Sequence, residues 1–362
     1  MRTLRRYACA LSAVAMALIT LQPLVQAHAS TTADPTVGKG AVSASRHHAF
    51  GGGVPSVPTT GMVHVFTGGG YYMTPLPSSA PIDSRSNSWI SSIQSKSIIG
   101  GIHIYFAHDT AVAKPSDKAC TTNGYSYHVP SGFQTDSGGR GAIIDPTTNW
   151  AVGTVNGMSN GCLASVQDAY HVNSNGLASN VKGGTAGNTG HRGASSGRKA
   201  LLPDEVFNLG VPTASLGERM QCSAPISPNT NGEPYAWPLS GGDAGSNVTY
   251  PVPEGAVIRI KPSVAIDSLK TSPEVKAVLH GLQTYGCLVV DGGSQKYFNI
   301  IFAENGNWKF PDGNTITENA LAIVPFSSYE FVQTGYDPVS GSTNGGILFN
   351  CKGTPSGNKC GY

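Results

Sequence analysis

A chain of 362 residues has room for one large or two ordinary domains. Charged residues make up only 12%, against about 25% in an average domain, and a net charge of +2 gives no basic surface of the kind nucleic acid selects. With 46 glycines and 24 prolines, the composition favours short strands joined by turns and argues against a helical bundle.

Residues 1–29 read as a secretory signal. Arg2, Arg5 and Arg6 form a positive region, and Cys9–Leu21 is an apolar run too short and wrongly flanked for a membrane span. Ala27-His28-Ala29 is an A-x-A cleavage site without a lipobox cysteine, and no later run reaches the roughly 20 apolar residues a membrane helix needs. The expectation is a secreted, extracellular protein without a membrane span. Residues 30–70 have little apolar periodicity and are rich in Gly, Ser, Thr and Pro; Gly51–Gly53 and Gly68–Gly70 bracket a weak strand, Met62–Phe66. That segment reads as a flexible lead-in, dispensable for folding, to a single β-rich domain over 71–362.

Order is expected from Tyr71. Asp83–Ser86 precedes a short helix over Asn87–Ser95 with Trp89, Ile90 and Ile93 inward. Ile98–Ala107 alternates as a strand, with Ile102, Ile104 and Phe106 toward the core and His103 and Tyr105 on the opposite, outward face. Tyr125–Val129 is a further strand. Gly141–Ile144 and Trp150–Val155 form a hairpin around the Asp145–Asn149 turn. The Gly-, Asn- and Ser-rich stretch 173–198 is a long loop, and Pro203–Leu209 a short helix. Strands are expected at Glu218–Ala224, Val257–Ile260, Gln295–Phe302, Leu321–Val324 and Tyr329–Val332.

The clearest element runs from Ser272 to Gly293. Ser272 caps a helix, Pro273 suits its first position, and Glu274 suits the positive end of its dipole. Val275, Val278, Leu279, Leu282 and Tyr285 give one apolar face, and Gly286 stands at a left-handed C-cap. Cys287–Val290 then reads as a buried strand turned by Asp291-Gly-Gly293. The whole pattern suggests a mainly β fold, a two-sheet sandwich of jelly-roll type with one packed helix; a β-helix would need a repeated rung, and none is visible.

Six cysteines remain once Cys9 leaves with the signal. An even count in an exported chain implies disulfides, and pairing in sequence order gives Cys120–Cys162, Cys222–Cys287 and Cys351–Cys360. No C-x-x-C or clustered histidines give zinc spacing, so neither a metal nor a cofactor is expected.

Three stretches resemble a largely uncharacterised family of secreted bacterial β-sandwich proteins over about residues 75–310. They are Ala80–Asp83 with Ile102–Asp109, Gly141–Pro146, and Leu282–Gly286 through Val289–Asp291. The resemblance implies an extracellular β-sandwich and no established activity. Family members tend to carry a histidine before the Ile-Ile-Asp-Pro strand, where this chain has Arg140 and Gly141.

Secreted sandwiches commonly hold polysaccharides on a sheet face lined by aromatic and polar groups. Hydrolysis of a glycoside needs two carboxylates, and Asp109, Asp145, Asp243, Asp291 and Glu304 are of the right type. A lyase needs a base and a cation, which His103, Tyr105, His108 and Arg140 supply. The site expected from these residues joins His103, Tyr105 and Arg140 as catalytic groups to Trp150, Tyr235, Trp237 and Asp291 as substrate contacts, on an extracellular polysaccharide. Plainer readings stand beside it. His103 and Tyr105 suit a polar sheet surface, Asp145 and Asp291 suit turns, and Tyr235 and Trp237 suit a core plug. The alternative function is a non-catalytic surface, adhesion or matrix-binding protein.

Overall fold

The computed structural model describes residue 66 and residues 69–96, 102–107, 110–136, 138–154, 156–166, 168–172, 216–224, 233–239, 252–292, 298–303, 308–310, 312–350 and 359–360. The long loop at 173–198, the helix expected at Pro203–Leu209, and Asp109, Asp243 and Glu304 lie outside them.

Helix α1, Ser86–Lys96, comes first, followed by β1 His103–Ala107, β2 Thr110–Val112, β3 Lys118–Thr122, β4 Tyr125–Val129, β5 Gly141–Asp145 and β6 Trp150–Thr154. The next strands are β7 Met158–Ser159, β8 Cys162–Leu163, β9 Asp168–His171, β10 Met220–Ala224, β11 Glu233–Tyr235 and β12 Val257–Ile260. Helix α2, Pro273–Thr284, leads to β13 Cys287–Gly292, β14 Asn299–Ala303, β15 Tyr329–Phe331, β16 Tyr336–Asp337, β17 Ser342–Thr343, β18 Leu348–Asn350 and β19 Lys359–Cys360. The described chain is mainly β, in several sheets, with two α-helices among the described residues.

Helix α2 forms where its caps demand. The Ser272 side chain accepts from the Val275 amide, Pro273 fills the first helical position, and Gly286 follows at φ +73°. Val275, Val278, Leu279 and Leu282 are buried, while Tyr285 is half-buried. These side chains and Trp89, Ile90 and Ile93 of α1 cover one face of a six-stranded sheet ordered β1-β14-β10-β13-β12-β15. Strict alternation sends Ile104, Cys222, Ile258, Val289, Ile300 and Phe302 to that helical face. Val257, Leu288, Val290, Ile301 and Ala303 go to the other face, where they meet Tyr71, Tyr72 and Leu76.

A second sheet, β2-β5-β6-β9, closes that other face. Ile144, Ala151 and Tyr170 point toward the first sheet, and their strand neighbours Ile143, Val152 and Ala169 point away. The away-facing set packs against Tyr125, Tyr127 and Val129 of the β3–β4 hairpin. The layers therefore run helices, six-stranded sheet, four-stranded sheet, hairpin. Two stacked sheets are thus present, but β1/β14, β10/β13 and β2/β5 are parallel pairs. This topology departs from a jelly roll, whose strands pair antiparallel. Parallel neighbours need a crossover, and β12 with α2 supplies it between β10 and β13.

Two further differences from the sequence reading have local causes. The apolar run at Leu321–Val324 is a 3-10 helix over Ala320–Ile323, with Leu321 and Val324 buried, because four apolar residues suit either state. Asp291 and Gly292 continue β13 opposite Ser223 and Ala224 instead of turning.

Residues 71–78 strap the back of the six-stranded sheet, and two buried arginines hold them there. Arg219 donates to the carbonyls of Tyr71 (2.6 Å) and Tyr285 (2.8 Å), its guanidinium 4.1 Å from the Tyr71 ring centroid. Arg259 donates to the Pro77 carbonyl (2.7 Å) and to Glu330 Oε1 (2.8 Å). Phe66, which the sequence reading put in the lead-in, is buried and stacks on Tyr72 at 4.5 Å. A chain starting at residue 71 should therefore melt below one starting at residue 54, by roughly the 3 kcal/mol typical of a lost core phenylalanine. Equal melting temperatures would return Phe66 to the lead-in.

Cys120 pairs with Cys162 (Cα–Cα 5.8 Å) and Cys222 with Cys287 (5.9 Å), as sequence order predicts. They close separations of 42 and 65 residues, each worth about 4 kcal/mol in the chain-entropy model. Cys360 lies on β19, and Cys351 lies outside the described residues. Peptide mapping of the unreduced protein should link Cys351 to Cys360; a Cys287–Cys351 peptide would refute the whole pairing.

Candidate functional site

The turn between β5 and β6 gathers more polar chemistry than the sequence assigned to it. Asp145 ends β5 opposite Trp150 and is fully buried. Its Oδ2 accepts from the His128 backbone amide (2.8 Å) and meets His128 Nδ1 at 2.7 Å. Its Oδ1 accepts from the Thr147 amide (2.9 Å) and hydroxyl (2.5 Å). Burial alone would raise the Asp145 pKa, but the hydrogen bonds from Thr147 and His128 more than offset it and hold the carboxyl below its ordinary value. An ionised carboxylate only accepts, so Nδ1 donates to it, and Nε2 is the ring nitrogen turned away from Asp145.

Strand β4 sets the direction of His128. Tyr125, Tyr127 and Val129 face the interior, so Ser126 and His128 share the outer face. On β3 the cross-strand partners of Ser126 and His128 are Thr121 and Ala119, and the Thr121 and Ser126 hydroxyls lie 3.3 Å apart. Together they border a solvent-open hollow of about 260 Å³, whose lining includes Thr121, Ser126, Tyr127, His128 and Thr148. The Cys120–Cys162 disulfide and the hydrogen bond from the Leu163 amide to the Tyr127 hydroxyl (2.9 Å) fix this hairpin to the β7–β8 ribbon.

The residues proposed from sequence are spread over separate sheets. His103 and Tyr105 lie on β1, in register with Asn299 and Ile301 of the six-stranded sheet. His103 is buried, not outward, because that sheet face is itself covered. Arg140 precedes β5 and is tied to Asp136, its Nε 2.8 Å from Oδ2. Tyr235 is buried on β11, where burial raises its pKa, and Trp237 is half-buried with its ring edge-on to Tyr71 at 4.8 Å. Both serve the core, not an exposed loop. Asp291 sits on β13 opposite Ser223. Trp150 alone adjoins the β5–β6 turn; its ring stacks on His171 at 3.8 Å and meets Tyr125 edge-on at 5.1 Å.

No family model, curated protein or solved structure matches the chain. Among the described residues, no helix is long and apolar enough to cross a membrane, and no three His, Cys, Asp or Glu side chains gather to hold a metal. The two cysteine pairs fit an oxidising compartment.

The sequence reading missed His128. It lies 17 residues from Asp145, on a different hairpin. Its signal was the alternation of Tyr125, Tyr127 and Val129, which forces the intervening Ser126 and His128 to the opposite face.

Proposed function

We propose that this is a secreted, extracellular protein that binds a polysaccharide in the hollow over His128, with His128 as the proton acceptor where the bound chain is cleaved. The observation that supports it is the buried Asp145, which fixes the ring through Nδ1 and leaves Nε2 for a ligand. A structural turn needs an aspartate but no histidine held to it at 2.7 Å beside an open hollow. The signal-like N-terminus and the resemblance to secreted β proteins supply the extracellular setting. The hollow is open to solvent, which favours a second reading as a non-catalytic surface or matrix-binding protein, since turnover is helped by water exclusion.

The test is a panel of polysaccharides assayed for retention, for new reducing ends and for unsaturated uronate absorbance. His128→Ala should abolish retention or turnover while costing about 1.5–3 kcal/mol of stability, the scale of one lost hydrogen bond to a charged group. Retention without products selects the matrix-binding reading. Unchanged retention in the His128→Ala protein would remove the site altogether.

A further inference from the structure

We infer that the hollow over His128 selects uncharged sugars and disfavours acidic ones. The inference rests on the proposed polysaccharide site and names the class of its ligand. Its polar lining residues are Thr121, Ser126, Tyr127, His128 and Thr148, four of which carry hydroxyls. A hydroxyl both donates and accepts, which matches the dual character of sugar hydroxyls. The charge that stands behind this lining is negative. Asp145 is fully buried beneath His128 and carries its charge through the bonds from His128 and Thr147. A sugar carboxylate entering the hollow would approach a like charge.

The cations on neighbouring elements do not reverse that sign. Lys118 lies on β3 one residue before Ala119, so its side chain takes the other face of the strand, and Nζ donates to the Asn160 carbonyl. Arg140, which the sequence reading offered as the anchor for an acidic sugar, is ion-paired with Asp136 and is not part of the lining. A β-eliminating lyase needs a cation to neutralise the carboxylate of its uronate substrate. Among the described residues the hollow supplies a base without that cation, which points its binding to neutral polymers and away from β-elimination.

The test is calorimetry at neutral pH with matched oligosaccharides: neutral glucan, xylan and chitin series against oligogalacturonate and oligoalginate. The expected result is a neutral series bound at least about tenfold more tightly than any uronate of the same length, one unit-charge repulsion being of that order. Raising the ionic strength should narrow the ratio, because the acidic oligomers gain most from screening. The Thr121→Val/Ser126→Ala double variant should weaken neutral binding about tenfold at an unchanged melting temperature. Uronate binding equal to or tighter than neutral binding, and lost in His128→Ala, would overturn the inference while leaving the polysaccharide site standing. If no oligosaccharide of either class binds, the proposed function falls and the inference falls with it.

Discussion

Replacing Gly255 with alanine should leave little folded protein. Gly255 has φ +89°, and a Cβ there would lie 2.0 Å from the Ala236 carbonyl oxygen, a backbone atom that cannot rotate away. The left-handed backbone costs a non-glycine residue about 1–2 kcal/mol by itself. Relieving the overlap must also pull apart the Ala236 N–H to Glu254 carbonyl bond (2.7 Å) and strain the Gly255 N–H to Val289 carbonyl bond (2.8 Å). Losing buried bonds of this kind adds about 1–3 kcal/mol each. The sum, about 4 kcal/mol or more, rivals the net stability of about 5–15 kcal/mol that holds an ordinary domain. Gly313 is the control, with φ +90° and open space around its would-be Cβ. Gly313→Ala should cost only the backbone term. Urea unfolding of the two variants side by side measures the difference, and equal midpoints would mean that residues 236 and 255 do not approach as described.

Asp83→Ala is expected to destabilise by about 3–4 kcal/mol. Asp83 is buried, and its carboxylate accepts from the Thr334 amide (3.1 Å), the Thr334 hydroxyl (2.6 Å) and Arg85 Nε (2.8 Å). Truncation strands two buried Thr334 donors at about 1–3 kcal/mol each. The same contacts make stability depend on acid. Burial would raise the Asp83 pKa, but the hydrogen bonds from Arg85 and Thr334 outweigh it and bring it from 3.8 to about 2. A depressed folded pKa gives stability that is complete above the unfolded value and lost as pH falls toward the folded one. About 2 kcal/mol should therefore disappear between pH 5 and 2, with Asp145 contributing in the same direction. In Asp83→Asn this loss should be smaller, the Asp145 part remaining. A wild-type stability that is flat with pH over that window would refute the assignment.

Much of the fold was legible where local signals agreed. Ser272, Pro273 and the spacing of Val275 to Leu282 fixed α2, and the Asp145–Asn149 turn fixed the β5–β6 hairpin. What failed was the step from alternation to exposure. His103 does alternate with Ile102 and Ile104, yet it is buried, since the six-stranded sheet is covered on both sides and alternation cannot tell a second core from solvent. The jelly-roll expectation failed for a related reason. Strand directions depend on which distant segments meet, and β1 lies beside β14, a pairing no local pattern announces. The candidate site shows the same division. The turn role of Asp145 is written in Asp145-Pro-Thr-Thr, but its bond to His128 is set by how the β3–β4 hairpin docks on the second sheet.

The Asp83–Thr334 contact spans 251 residues, and the bond from Phe331 N–H to the Ser86 hydroxyl spans 245. Helix α1 and the strap at 71–78 are therefore made early on the ribosome and completed late. Until Tyr329–Phe331 exists, Asp83 has no Thr334 to accept from and the α1 side chains Trp89 and Ile93 have no Phe331 to cover. Closure over so many residues must be met before these contacts return anything, which delays them in folding. For a chain exported as proposed above, such delay is useful, because one that lacks its last thirty or so residues still lacks the contacts that hold α1 and Asp83 in place.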